Sequence, residues 1–288
     1  MERRVEPARE IETGTELVLA EVGPDGVGVL TLNRAERRNA LAPAMYPGMH
    51  AALDAFAADP EVGCVILTGA GGAFCAGGDV RDGAARRSER RPTFEERVDE
   101  LTDWAAIVPR LAAHPQVVIG ALPGPAVGAG LSLALACDMR IAAASAKLIP
   151  GWGRLALSGD LGGPWLITRL LGPARALEWL VDGRPMDASE ALEAGLVNRV
   201  SDDVSFAADA RAWAAAVASG PTTTWRYVKA NVQAASRLDL AAAMPLETAN
   251  MVRSSMTPQH GEAVRAWQER RAPAFRHQGS PSDERDGP

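Results

Sequence analysis

The chain has 288 residues, a formal net charge of −6 and 47% hydrophobic residues, which is typical of a globular protein with a large core. The acidic balance argues against a nucleic-acid partner, and no segment reaches the roughly 20 apolar residues of a membrane span. The three cysteines have no CxxC spacing and the four histidines have no ligand spacing. We therefore expect reduced, structural cysteines, no metal, and a cytoplasmic location.

The N-terminal part predicts a hairpin, a helix and a buried strand. Residues 1–14 are charged and lack an apolar segment, so we expect a flexible N-terminus. Two β-rich runs, at 17–22 and 26–32, are separated by a short turn sequence, as in a hairpin. Apolar residues recur at helical spacing over 41–56 and predict a helix there. The run VGCVILT at 62–68 predicts a strand that is buried on both faces.

Two buried strands are each followed by a glycine-rich turn. GAGGAFCAGGD at 69–79 follows the strand at 62–68, and PGPAVGAG at 123–130 follows a strand at 117–122 and opens an alanine- and leucine-rich helix. Backbone N–H groups at the start of a helix lack intrahelical partners and lie at the positive end of its dipole. Two such turns favour the convergence of two amides on one carbonyl oxygen. A dinucleotide-binding motif is less favoured, because its third glycine and its acidic strand end are absent.

The middle of the chain contains a charged segment and an isolated carboxylate. The segment at 81–91 predicts a lid or a disordered insert, and a helix is expected over 94–111. Asp160 is the one acid between residues 139 and 177, and glycines flank it. Two roles stay open for it at this point: a cap of the following helix, or a functional carboxylate.

Composition divides the chain into four parts. Further strands at 140–144 and 196–200 and helices at 164–171, 174–181 and 188–193 complete the core, which we place at 15–203 between the flexible residues 1–14 and a helical region at 204–277. Asp203, Thr222 and Thr257 are candidate caps in the helical region. Its apolar faces predict packing in a core or a subunit interface. The polar tail at 278–288 predicts disorder.

The sequence resembles the crotonase superfamily, also called the enoyl-CoA hydratase/isomerase family, over roughly residues 15–275. Five segments carry the likeness in the family's order: NRAERRNAL at 33–41, FCAGGD at 74–79, GPAVGAGLSLALACD at 124–138, LGGPWLITRLLGPARALEW at 161–179 and ALEAGLVNRV at 191–200. The resemblance implies an α/β fold built as a spiral of ββα repeats. It also implies an acyl-CoA thioester substrate with no further cofactor, and a homotrimer or dimer of trimers built by the C-terminal helices.

The same resemblance implies the residues of the site. The thioester oxygen would lie between the backbone N–H groups of Gly78 and Ala129, where charge develops on it during the reaction. The resemblance assigns CoA binding to four positions: Arg38, Ala40, Ala76 and Asp79. Similar hydratases carry two glutamates where this chain has Ser132 and Trp152, which we assign to the substrate pocket. Without that carboxylate pair, the usual addition of water is in doubt.

Asp160 then decides the chemistry. It coincides with the proton-shuttling aspartate of similar ring-enoyl-CoA isomerases and with the nucleophilic aspartate of similar 4-chlorobenzoyl-CoA dehalogenases, in which a tryptophan lies eight residues earlier, as Trp152 does here. Those dehalogenases also use a histidine base, and the nearest position by count here is Ala105. We therefore rank acid/base chemistry by Asp160 first, ahead of dehalogenase- or hydrolase-type chemistry with Asp160 as nucleophile. Trp152 stays open as a pocket wall or a core residue. A non-catalytic acyl-CoA binder is the contrasting class.

Overall fold

The computed structural model describes residues 7–79 and 92–275, so the predictions for 81–91 and 278–288 fall outside the described residues. The strands are β1 (Arg9–Ile11), β2 (Val18–Val22), β3 (Val27–Leu32), β4 (Cys64–Gly69), β5 (Val117–Leu122), β6 (Ala126–Val127), β7 (Met139–Ala143), β8 (Lys147–Ile149), β9 (Met186–Asp187) and β10 (Arg199–Ser201). The helices are α1 (Met45–Ala58), α2 (Phe94–Ala105), α3 (Ile107–Ala112), α4 (Ala129–Ala136), α5 (Gly163–Leu171), α6 (Pro173–Asp182), α7 (Ala188–Glu193), α8 (Phe206–Ala218), α9 (Thr222–Ala235), α10 (Leu240–Ser255) and α11 (Pro258–Glu269).

A seven-stranded mixed sheet forms the centre of the protein, in the order β1-β2-β3-β4-β5-β7-β10. The first three strands pair antiparallel, and every later neighbour is parallel. Parallel strands need crossover connections, and helices on both faces of the sheet explain why β4 and β5 contain almost only apolar residues. A smaller sheet has the order β6-β8-β9, and its first strand, β6, lies within the second glycine-rich turn. The predicted α/β class and the β2–β3 hairpin are confirmed.

The largest differences from the predicted elements have local causes. Residues 9–11 pair with β2 as a short edge strand, although we predicted a flexible N-terminus through residue 14. The helix predicted over 94–111 is divided at Ala106, because Pro109 has no N–H to continue the helical ladder. The closing strand begins at Arg199 instead of residue 196, since the preceding residues turn back onto α7 through hydrogen bonds to Ala191 O.

The C-terminal helices are present as predicted, and a partly buried ion pair joins them to the sheet. Lys229 on α9 places Nζ 2.7 Å from Asp138 Oδ2 and 3.2 Å from Gln116 O. The same carboxylate oxygen accepts from Val118 N at 2.8 Å, so α9 is anchored where β5 begins. Thr257 caps α11 as predicted. Thr222 begins α9 without capping it, and Asp203 accepts from Ser145 N instead of capping α8.

No helix within residues 7–79 and 92–275 is both long enough and apolar enough to cross a membrane.

Replacing Lys229 by Met should lower the free energy of unfolding by about 1–3 kcal/mol, because it leaves the partly buried Asp138 carboxylate without its cation. Denaturant unfolding of the variant measures this loss. Lys147→Met is the matched control: it removes the chain's other lysine, which is exposed, and should change stability by less than about 0.5 kcal/mol. Equal losses in the two variants would show that the ion pair does not anchor α9.

Candidate active site

The two glycine-rich turns lie side by side and are joined through their backbones. Phe74 N and Cys75 N both donate to Pro125 O at 3.1 Å, and Val127 N donates to Cys75 O at 2.9 Å. At Gly77, φ is +90° and a Cβ would lie 2.9 Å from Val127 O, so this close approach requires glycine. Backbone pairing thus joins the two predicted turns, and the convergence of their amides on one oxygen stays a prediction.

The amides of Gly78 and Ala129 line one cavity. Ala129 is the first residue of α4, so its N–H has no intrahelical acceptor and lies at the positive end of that helix. Gly78 N is likewise unpaired, because Leu41 bonds the neighbouring groups, Gly77 O and Asp79 N. Neither amide has a hydrogen-bond partner within the described part of the chain. Two unpaired donors at one cavity wall can bind an oxygen that carries negative charge.

A buried asparagine holds the arginine-rich loop against the first turn. Asn39 is fully buried, and its Nδ2 donates to Ala70 O and Ala73 O, both at 2.8 Å. Its Oδ1 accepts from Arg34 N at 2.9 Å, and φ is +56° at Asn39 itself, a conformation that asparagine tolerates. We predicted no role for Asn39 from the sequence, although an asparagine at the end of a charged loop is a signal for such a bond.

The predicted CoA-binding residues lie around this loop. Ala76 N donates to Arg38 O at 2.9 Å, and Ala76 lines the cavity, whereas the side chain of Arg38 is exposed. Ala40 is buried, and its carbonyl accepts from Arg34 Nη1 at 2.8 Å. Asp79 also lines the cavity, and its carboxylate lies 3.2 Å from Arg34 Nη2. This ion pair holds the arginine-rich loop against the end of the first glycine-rich turn.

Asp160 lies in the same cavity as the two amides and does not cap a helix. Its Oδ1 accepts from Trp152 Nε1 at 2.8 Å, while the cap position of α5 is Gly162. The interpretation of Asp160 as a helix cap is therefore wrong. Partial burial raises the pKa of the Asp160 carboxyl above its ordinary value, and the hydrogen bond from Trp152 opposes that rise by stabilising the charged form.

Trp152 is both a pocket wall and a buried side chain, 5% exposed. Its ring packs so closely on α5 that a Cβ at Gly163 would lie 2.2 Å from it. Ser132 does not line the cavity as predicted: it is fully buried, and its Oγ donates to Asp160 O at 3.1 Å. The serine is turned behind the cavity, where it supports the backbone of Asp160.

The cavity has a volume of about 620 Å³, and α1 and α2 supply walls that the sequence analysis missed. The rings of Tyr46 and Trp104 stack with centroids 5.5 Å apart and planes 5° from parallel. One face of α2 lines the cavity through Glu96, Glu100 and Trp104. These residues are spaced four apart, a helical pattern from which a shared face could have been predicted. Glu96 Oε2 accepts from Thr93 N at 2.9 Å in a capping box, and Glu100 pairs with Arg97.

No set of three His, Cys, Asp or Glu side chains within residues 7–79 and 92–275 could hold a metal ion.

Comparisons with known proteins agree with this architecture. Residues 23–278 match the family described as enoyl-CoA hydratase/isomerase. The chain is 35% identical to the 1,2-epoxyphenylacetyl-CoA isomerase of Escherichia coli, over 90% of this chain and 98% of that protein. It is 32% identical to 4-chlorobenzoyl coenzyme A dehalogenase-2 of Arthrobacter sp, over 83% and 86%. The crystal structure of an enoyl-CoA hydratase from Polaromonas sp. JS666 superposes with a TM-score of 0.84 at 31% identity, covering 90% of this chain and 99% of that one.

Gly130→Ala should separate the two turns. A Cβ at Gly130 would lie 2.5 Å from Cys75 O and 2.6 Å from Cys75 Cβ, so the backbone must move. We expect a loss of about 1–3 kcal/mol in the free energy of unfolding, measured with denaturant. Gly261→Ala is the control, because the nearest atom to its added Cβ would be Arg265 Nη1 at 3.7 Å. If Gly130→Ala is as stable as that control, close packing does not join the turns.

Trp152→Phe should raise the pKa of Asp160 further, because it removes a hydrogen bond to the charged carboxylate while burial remains. A carbon-13 NMR titration of aspartate-labelled protein measures the shift, and Asp160→Asn identifies the resonance. Trp179→Phe is the control, since that buried indole donates to Arg184 O, far from Asp160 in the sequence and outside the cavity lining. An unchanged or lower pKa in Trp152→Phe would contradict the assigned hydrogen bond.

Proposed function

Since the chain belongs to the enoyl-CoA hydratase/isomerase family, we propose that it is an acyl-CoA enzyme with Asp160 as its single acid/base. One observation carries the proposal: Asp160 and the unpaired amides of Gly78 and Ala129 line the same cavity. The reaction class is isomerisation or a related lyase reaction of an enoyl-CoA thioester. The family and its acyl-CoA chemistry come from the comparisons, and the residue roles are our proposal.

The two amides would stabilise the thioester oxygen as it gains charge. Removing a proton from the carbon beside the carbonyl leaves its electron pair delocalised onto that oxygen, as an enolate. Gly78 N and Ala129 N would each donate to the oxygen, and a pre-aimed donor of this kind lowers the barrier by about 3–4 kcal/mol. The positive end of α4 adds to the same stabilisation.

Asp160 would carry the proton. Its Oδ1 is held by Trp152, and its Oδ2 has no hydrogen-bond partner within residues 7–79 and 92–275, so this oxygen is available to the substrate. The proton would move from one carbon to Asp160 Oδ2 and return to another carbon, which shifts the double bond without net loss or gain of atoms. Burial raises the pKa of Asp160 toward neutrality and makes its carboxylate a better base.

Hydration by a pair of carboxylates is not supported by the described cavity. The two positions where similar hydratases carry glutamates hold Ser132 and Trp152, and Ser132 lies behind the wall. Glu96 and Glu100 do line the cavity from α2, but the first caps its own helix and the second pairs with Arg97. Asp79 also lines the cavity, but its carboxylate pairs with Arg34. We therefore assign proton transfer to Asp160 alone, and one acid/base group favours isomerisation.

Nucleophilic attack by Asp160, as in a dehalogenase or hydrolase, is the second candidate. The hydrogen bond from Trp152 supports it, because it stabilises the ionised carboxylate that a nucleophile requires. This route also needs a base to activate water in its second step. His50, His114 and His260 do not line the cavity, and His114 is buried with its Nε2 3.1 Å from Leu53 O. Because none of the histidines within residues 7–79 and 92–275 lines the cavity, we rank this route below acid/base chemistry.

The loop around Asn39 would bind the CoA moiety. Arg38 is exposed beside Ala76 at the cavity, where a guanidinium can pair with phosphates. Ala40 and Ala76 would offer small side chains and backbone groups. Asp79 carries a negative charge and pairs with Arg34. We therefore propose that Asp79 holds the arginine-rich loop in place and does not bind the CoA phosphates directly. A homotrimer or dimer of trimers and a cytoplasmic location stay predictions.

Asp160→Asn should lower the turnover of the substrate by about a hundredfold or more, because the amide keeps the shape of the side chain but cannot accept the proton. Binding of acyl-CoA should persist. Steady-state rates on a panel of aliphatic, cyclic and aromatic enoyl-CoAs measure turnover, and calorimetry measures binding. Asp182→Asn, at an exposed site on α6, is the control. Full activity in Asp160→Asn would remove this carboxylate from the mechanism and leave a binder or a different catalytic group.

The same panel separates acid/base from nucleophilic chemistry. Mass spectra of enzyme quenched during a single turnover should show the unmodified chain, because proton transfer forms no covalent bond to Asp160. An acyl or aryl ester adduct on Asp160 would favour the second candidate instead.

A further inference from the structure

Tyr46 carries a polar group that neither the fold nor the proposed mechanism uses. The residue lies on α1 and is 6% exposed, and its ring stacks on Trp104 in the cavity wall. Its hydroxyl has no hydrogen-bond partner within residues 7–79 and 92–275. It is also absent from the polar atoms that are sealed in the interior, so it opens into the cavity that Tyr46 lines.

The surroundings keep this hydroxyl protonated. Burial raises the pKa of the Tyr46 phenol well above its usual range, and the negative charge of Asp160 raises it further. Tyr46 is therefore a neutral hydrogen-bond donor near neutral pH.

Apolar side chains also line this cavity. Leu101, Trp104 and Leu161 are among them, and Trp152 completes an aromatic surface against which a flat ring can pack. An unpaired hydroxyl in such a cavity loses its hydrogen bond to water when a ligand displaces that water. Binding then favours a ligand that supplies an acceptor at that point over one that leaves the donor unpaired.

We propose that the Tyr46 hydroxyl selects ring-bearing acyl groups that carry an oxygen substituent, by donating a hydrogen bond to that oxygen. The inference rests on the proposed acyl-CoA function and adds to it the substrate class. Tyr46 is a specificity-determining residue in this assignment: it contacts the acyl group away from the thioester, while Asp160 and the two amides handle the reacting atoms.

The test compares binding of phenylacetyl-CoA with binding of its three ring-hydroxylated isomers by calorimetry. We expect the wild-type protein to bind at least one hydroxylated isomer about tenfold more tightly than the parent thioester. Tyr46→Phe keeps the ring and its stacking but removes the donor, so this preference should fall below about threefold, because the parent thioester no longer leaves a donor unpaired and the hydroxylated isomers no longer gain a hydrogen bond. Tyr227→Phe alters the other tyrosine of the chain, which lies on α9, and should keep the full preference.

The other possible outcomes contradict either the role of Tyr46 in specificity or the proposed acyl-CoA function. Equal binding of all four thioesters by the wild type, or an equal loss for all four in Tyr46→Phe, would show that Tyr46 only packs in the wall. Either result leaves the proposed acyl-CoA function intact, because binding itself is still observed. Failure of the wild type to bind any of these thioesters or any member of the enoyl-CoA panel would overturn the proposed function and this inference together.

Discussion

The backbone pairing between Cys75 and residues 125–127 is the interaction on which the site depends. Three hydrogen bonds of 2.9–3.1 Å join the two turns, and Gly77 and Gly130 allow their backbones to approach closely. A Cβ at either position would collide with the opposite turn. The amides of Gly78 and Ala129 are unpaired for separate local reasons: Leu41 bonds Gly77 O and Asp79 N on either side of Gly78, and Ala129 is the first residue of α4. The packing of the turns brings both residues to one cavity, where we propose that they bind a charged oxygen.

The cavity combines this rigid polar corner with an aromatic wall from different parts of the chain. Asp160 lies between β8 and α5, whereas Tyr46 and Trp104 come from α1 and α2. Trp152 connects the two sides: its indole holds the Asp160 carboxylate by a 2.8 Å hydrogen bond, while its ring closes the apolar surface. One side chain thereby couples the electrostatics of the acid to the shape of the pocket.

Local sequence patterns predicted most of the elements and the polar centre of the site. Buried strands such as β4 and β5 contain almost only apolar residues, and the two glycine-rich segments that follow them predicted paired turns. The resemblance to the crotonase superfamily pointed to Gly78, Ala129 and Asp160, which the structure places in one cavity. These features could be read early because they depend on short-range backbone conformation and on the order of segments along the chain.

Contacts between distant segments were decided only by the tertiary structure. Ser132 was predicted in the pocket but faces the backbone of Asp160, and Tyr46 became a site residue only when α1 packed against α2. The sequence by itself determined which backbone turns could present free amides, since glycine content and helix starts are local properties. The side chains around these amides come from residues more than fifty positions apart in the sequence. Local sequence patterns do not predict how such distant residues pack against each other.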